Sequence, residues 1–366
     1  MRITNRHSYM KRSILYTLSL ILTLPCLAQT GVTPYVPGVT AEGVTYYLPR
    51  TELVITIQAS RTTKTPGDFK DYAARYLRLS DVTQEQTTEW TLDGVWATPI
   101  GVPDEDKIYS IVLDKKTSAP LVSLTQDGII LSINTEAEAD QTSFPELLNE
   151  THNNRLNSRD YMTEEILYAG NRSKMAELCC EEIYDLRENR NLLIKGQADY
   201  MPSDGEQLRL MLQQLETQEQ ALLQLFSGWT ESETRTIQLV YSPNNQTEKD
   251  VLFRFSKEYG IVDKDDLSGD PIYIDIEDLQ TVPTRAEDTT AKKPKDEQNA
   301  VRYNVPSSVA VEIYDANQSY ASLTTPMGQF GHVEVLSNNL FNKHYTTRVT
   351  FYQATGGIKK LADTAQ

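Results

Sequence analysis

Asp263, Asp265, Asp266 and Asp270 crowd four carboxylates into the short stretch VDKDDLSGD. Hard cations take several oxygens at close range, so calcium is the ion such a cluster would hold. The spacing departs from an EF-hand loop. Leu267 stands where an oxygen ligand belongs and Ser268 replaces the required glycine, so a solvated turn between Ile261-Val262 and Ile272-Tyr273 is the expected reading. A zinc site needs three or four converging ligands, and His152, His332 and His344 show no local ligand spacing. Neither a metal nor a cofactor is expected. Cys179 and Cys180 are neighbours in a helical pattern, where adjacent side chains diverge and disulfide geometry is rarely met, so they read as small buried hydrophobes. Arg187, Glu188, Arg190 and Lys195 fall near the end of that helix. Cations there suit the exposed carbonyls and the helix dipole, and Arg187 and Arg190 are also candidates for contact with a partner or an anion. Glycosidases place two carboxylates roughly 5–9 Å apart, and with 51 acidic residues the sequence selects no such pair. The signatures G-x-S-x-G, G-x-G-x-x-G, H-E-x-x-H, C-x-x-C and the P-loop are missing. The 20 tyrosines, against 3 tryptophans, could stack on sugars or anchor a partner; the plainer reading sets them on strands and helix faces with hydroxyls at the wet rim.

Strands and helices must position these groups. Residues 29–65 read as β: Val44–Leu48 and Leu53–Ile57 are β-branched and aromatic runs, broken by Pro49. Thr65-Pro66-Gly67-Asp68 then reads as a helix start, with Thr65 as N-cap and Pro66 in the first turn. Phe69, Tyr72, Ala73, Tyr76 and Leu77 give that short helix one apolar face, expected to lie across a sheet. Residues 87–135 return to strands. Trp90, Leu92, Val95 and Trp96 surround Asp93-Gly94, and Gln126-Asp127-Gly128 is a hairpin turn. Residues 144–228 carry helical spacing. One long helix is expected to stop near Gly196, and a second to begin at a Ser203–Glu206 capping box and end at Gly228. Strands follow at Thr236–Tyr241, Val251–Phe255, Ile272–Ile276, Val309–Tyr314, His332–Leu336 and Thr347–Tyr352. Residues 284–300 have almost no apolar content and read as a mobile linker.

The chain has 366 residues, 39% of them hydrophobic, and a net charge of −16, which is enough apolar content for a core and speaks against a nucleic-acid surface. Arg2, Arg6, Lys11 and Arg12 precede an uncharged apolar run, Ser13–Leu24. This is the pattern of a secretory signal peptide over residues 1–28, cut between Ala28 and Gln29, whether translation starts at Met1 or Met10. About 12 apolar residues fall short of the roughly 20 that span a bilayer, so no membrane span is expected. Lipidation at Cys26 is the alternative. Thr23 and Pro25 occupy places where a lipobox wants Leu and a small residue, which disfavours it. Removing residues 1–28 takes away four basic side chains and leaves −20.

The segments GVTYYLPRTELVITI (43–57), PGDFKDYAARYL (66–77), AELCCEEIYDLRENR (176–190), PSDGEQLRLMLQQLETQEQALLQLFSG (202–228) and QFGHVEVLSNNLFN (329–342) resemble a secreted Bacteroidetes family known as a domain of unknown function. The resemblance implies an exported protein of a Gram-negative bacterium, in the periplasm or at the outer membrane, and supplies no catalytic residues. In that setting Asp363-Thr364-Ala365 fits an O-glycosylation pattern at Thr364, and Asp288-Thr289-Thr290 is a looser match at Thr289. The expected architecture is α+β. A β-rich N-terminal region (29–140) and a β-rich C-terminal region (231–366) form sandwich-like or barrel-like sheets, with a long antiparallel helical hairpin (141–230) between them. The expected function is non-enzymatic binding of an envelope protein or a glycan. The alternative is a hydrolase whose carboxylates converge only in the fold.

Overall fold

The computed structural model describes residues 32–34, 43–112, 122–282, 301–336 and 345–365. The expected leader, Cys26, the Ala28–Gln29 cut, the whole 284–300 linker with Thr289, and His344 lie outside them. In chain order the elements are β1 (Val32–Pro34), β2 (Gly43–Thr65), a 3-10 turn (Lys70–Tyr72) running into α1 (Ala73–Tyr76), β3 (Thr87–Val112), β4 (Val122–Leu124), β5 (Ile130–Ile133) and β6 (Glu150–Asn153). A second 3-10 turn (Ser158–Tyr161) leads to α2 (Glu164–Leu167), α3 (Arg172–Lys195) and α4 (Gly205–Ser227). Then come β7 (Trp229–Tyr241), β8 (Thr247–Ser256), β9 (Gly260–Val262), β10 (Asp270–Asp278), β11 (Val301–Tyr314), β12 (Ser319–Leu336), β13 (Tyr345–Phe351) and β14 (Ile358–Ala365). The described chain is β-rich, with several sheets and two long helices.

Three sheets form, in the orders β1-β3-β2-β7-β6, β12-β11-β10-β8-β9 and β14-β13-β5-β4. The first sheet takes β7 from beyond the helices, and the third joins β4 and β5 to β13 and β14, so strands far apart in sequence share sheets. β2 and β3 are long and pair along nearly their whole length, from Gly43 opposite Val112 to Lys64 opposite Thr87. Pro49 does not break β2. It lies opposite Pro103 at a register shift, where neither residue has an N–H to donate. The irregularity changes which side chains face inward, because a one-residue slip in a strand flips its faces. Before it Tyr46 and Leu48 are buried; after it Leu53, Ile55 and Ile57 are.

Each parity feeds a different core. Leu53, Ile55, Ile57 and Val95 pack against Phe253, Ile272, Ile274, Ile276, Val309, Val311, Ile313 and Met327 of the second sheet. Tyr46, Leu48 and Ile111 pack with Ile130, Ile133, Val301, Val349 and Phe351 around the third. Between the two cores is a buried polar seam. Asn304, fully buried, donates through Nδ2 to the carbonyls of Pro49 and Thr355, both at 2.8 Å. The Thr51 hydroxyl donates to Ala354 O at 2.8 Å, Gln329 Oε1 accepts from Thr51 N at 2.9 Å, and Gln329 Nε2 donates to the carbonyls of Thr51 and Pro243.

The helices make a third core. Phe69, Ala73 and Leu77 join Ile166, Ala176, Cys179, Cys180, Ile183, Leu186, Leu222, Leu225 and Phe226. α3 is capped by Asn171, whose side chain accepts from Lys174 N, and stops at Gly196 with φ 69°, as its sequence signals. The cap of α4 sits one residue later than the Ser203–Glu206 reading: Asp204 accepts from Gln207 N, and Gln207 returns the bond to Ser203 N. The expected helix start at Thr65 is also displaced. Thr65 is the last residue of β2, paired with Trp229. Phe69 N instead donates to Leu225 O at 2.6 Å, so the helical turn begins at Lys70 and packs on α4 rather than across a sheet. The close approach is possible because Gly67 and Gly228 have no side chain; a Cβ at Gly228, where φ is 84°, would sit 2.2 Å from Thr65 O.

Replacing Asn304 with Ala strips two buried carbonyls of their donor. Urea unfolding should show a loss of about 1–3 kcal/mol; unchanged stability would mean the seam does not bind the two cores together.

Candidate binding face

Val95 points into the first core, so Trp96 points to the opposite face of the first sheet. A bulge adds to what that face carries. Gln58 pairs with Gly94 but Ala59 pairs with Leu92, which leaves Asp93 as the extra residue. Leu92 and Val95 both turn inward, and Asp93 and Gly94 both turn outward. With no side chain on Gly94, the outer edge of the six-membered ring of Trp96 can approach it; a Cβ there would be 2.5 Å from that edge. Trp96 remains 41% exposed.

The strip around the indole is polar. Gln238 on β7 donates through Nε2 to the Thr56 hydroxyl at 3.2 Å, and Thr236 bonds Leu148 N and O through its hydroxyl. Asp93 accepts from the hydroxyls of Ser60 and Thr91, and the Ser60 hydroxyl also lies 3.0 Å from that of Thr234. A flat aromatic ring is thus bordered by amide, hydroxyl and carboxylate groups held in register by three strands. The other two tryptophans are otherwise engaged. Trp90 packs on Gly260, with the guanidinium groups of Arg61 and Arg235 within 6 Å of its ring and both bonded to Glu233 at 2.6 Å. Those bonds, that of Arg235 foremost, hold the Glu233 carboxyl below its ordinary value. Trp229 lies beneath Arg155, 4.7 Å from the ring centre.

Carboxylates converge elsewhere, on the outside of the second sheet. An open groove of about 610 Å³ is lined by Glu248, Asp275, Glu277 and Glu312 among others. Asp275 stands directly opposite Glu312, a like-charge pairing that weakens a ladder. Asp275 accepts from Lys249 N at 2.7 Å and from the Tyr314 hydroxyl at 3.2 Å; desolvation and that bond push the hydroxyl above its ordinary value.

The residues singled out in the sequence are not gathered at either place. Asp263 accepts from Asp265 N, and Asp266 from Ser268 N, a bond that holds its carboxyl below its ordinary value. Arg254 lies under this loop and donates to the carbonyls of Lys264 and Gly269. Among the described residues no three His, Cys, Asp or Glu side chains gather as a metal site. His152 lies beside Glu150 on β6, and His332 beside Glu334 on β12. Cys179 and Cys180 are buried free thiols; burial pushes Cys179 up to about 12, and Cys180 donates weakly to Tyr76 O. Thr364 lies in β14, opposite Thr346. Arg187 and Arg190 are committed within the helical pair: both bond Glu219, a nearly buried carboxylate on α4, at 2.6 and 2.8 Å. Sequence reading passed over the Trp96 face, whose signal was a glycine two residues before a tryptophan on one strand, and over Arg155 entirely.

A family profile described as a domain of unknown function, DUF4831, matches residues 42–359. The chain belongs to the DUF4831 family. No curated protein and no solved structure matches it. The matched span runs from the edge of β2 into β14, so the DUF4831 domain takes in all three cores rather than one of the two β-rich stretches.

Glu219→Ala would leave two guanidinium groups facing an apolar helix contact. Thermal unfolding should reveal a loss of about 1–3 kcal/mol. Arg187→Ala and Arg190→Ala should each cost less, since the carboxylate keeps one partner.

Proposed function

We propose that this DUF4831 protein is an exported cell-envelope protein that binds glycan chains on the Trp96 face without transforming them. The observation that carries the reading is the exposed indole whose outer edge rests on Gly94, on a sheet face shared with Gln58, Gln238, Thr236 and Asp93. One face of a pyranose ring is a sheet of C–H groups, whose weak positive edge suits the negative face of an indole. The hydroxyls around the sugar's rim need donors and acceptors in one plane, which amide, hydroxyl and carboxylate side chains supply. The bed is rigid, so little conformational entropy is lost on binding. A single stacking ring supports modest affinity, on the order of Kd 1 mM to 1 µM. Export is supported by the basic start and short apolar run before Ala28-Gln29. Among the described residues no helix is long and apolar enough to cross a membrane.

The second reading, a hydrolase, has its best support in the groove where Asp275 faces Glu312. Both readings meet in one experiment, titration of the protein with a panel of neutral oligosaccharides, followed by calorimetry and by analysis for released sugars. The expected result is binding with no release. It should be lost in Trp96→Ala and weakened several-fold in Gly94→Ala, which lifts the ring from its bed, while Asp275→Asn leaves it unchanged. Release that disappears in Asp275→Asn would establish the hydrolase, and binding that survives in Trp96→Ala would remove the platform from the account.

A further inference from the structure

A second groove, also of about 610 Å³, lies where the helices meet the end of the first sheet. Its lining includes the apolar Met162, Leu167 and Met175 together with Arg155, Arg159 and Trp229. The loop that presents the arginines is tied to α4. Leu156 N donates to Gln224 Oε1 at 2.8 Å, Gln224 Nε2 donates to Asn154 O, and the Ser158 hydroxyl donates to Ala221 O. Arg155 stacks on Trp229, which fixes the plane of its guanidinium while leaving the in-plane N–H groups free. Among the described residues neither Arg155 nor Arg159 pairs with a carboxylate. Asp68 also lines the groove, but its charge is met by Arg172, which bonds both its side chain and its carbonyl.

Arg155 and Arg159 thus set two guanidinium groups without a carboxylate partner in one groove with Met162 and Met175. Planar N–H forks match carboxylates in geometry as well as charge. Thioether side chains adapt to flexible apolar bodies. The volume suits a small molecule, since ligand sites run to roughly 300–1,000 Å³.

We infer that this groove binds a small amphipathic carboxylate, its head between Arg155 and Arg159 and its hydrocarbon body along Met162, Leu167 and Met175. The inference is independent of the glycan face, which lies on another part of the first sheet.

Decanoate, kept below its micelle-forming concentration, is the probe, with decanol as the uncharged control. Binding is read by calorimetry on the full chain and by the fluorescence of Trp229, taken as the difference between wild type and Trp229→Phe. The expected result is saturable one-to-one binding of decanoate, at least tenfold tighter than decanol. Arg155→Gln and Arg159→Gln should each weaken it about tenfold, while circular dichroism stays unchanged. Trp96→Ala should leave it intact. Lack of saturation with decanoate, equal affinity for decanol, or undiminished binding in both arginine variants would overturn the inference.

Discussion

The two β cores are joined by hydrogen bonds, not by grease. Asn304, Thr51 and Gln329 hold the Tyr352–Gly357 turn and the bend at Pro49 against each other at the level where β2 changes faces. An apolar seam there would leave the carbonyls of Pro49, Ala354 and Thr355 without donors in a region sealed from water, and each such orphan is destabilising on the scale of a lost core methylene or more. The polar residues therefore set where one core ends and the other begins. The bends in β2 and β3 follow from that choice, as does the outward aim of everything beyond them.

The helical core is attached differently. α4 runs straight into β7 through Gly228, and the chain after β2 is received by Leu225 O on the last turn of α4. Main chain meets main chain at this joint, with glycine on both sides. The orientation of the helices is thus set by the ladder between β2 and β7. The same joint places the Ser158–Tyr161 turn beside the end of the sheet, which is what makes a groove there at all. The Trp96 face owes its form to a comparable local device, one extra residue in β3, and shares no side chain with that groove.

Signals that act within a few residues were legible in the sequence. Gly196 ends its helix, Asp127-Gly128 turns its hairpin, and the strand runs at Leu53–Ile57 and Val309–Tyr314 are strands, because caps, turns and alternation are decided by neighbours. Thr65 misled for the same reason: its local pattern is that of an N-cap, but pairing with Trp229, 164 positions onward, holds it in β2. Pro49 misled because a lone proline looks like a stop, whereas one opposite another proline is a bend. The pairing of Ile133 with Val349 left no local trace. Sites fared alike. The clustered aspartates close their own turn between β9 and β10, the reading that their departure from a calcium loop had favoured. Trp96 and Arg155 gain their character from a glycine and a tryptophan placed beneath them by the fold.

The third sheet draws its strands from both halves of the domain, with β5 beside β13. Its order of assembly is constrained by that. When the first half of the chain has been made, β4 and β5 have each other but no third strand, and the buried side chains Ile130 and Ile133 have no Val349 or Phe351 to cover them. The second core can close only when the last strands are present. Such long-range closure slows folding and keeps partial chains open.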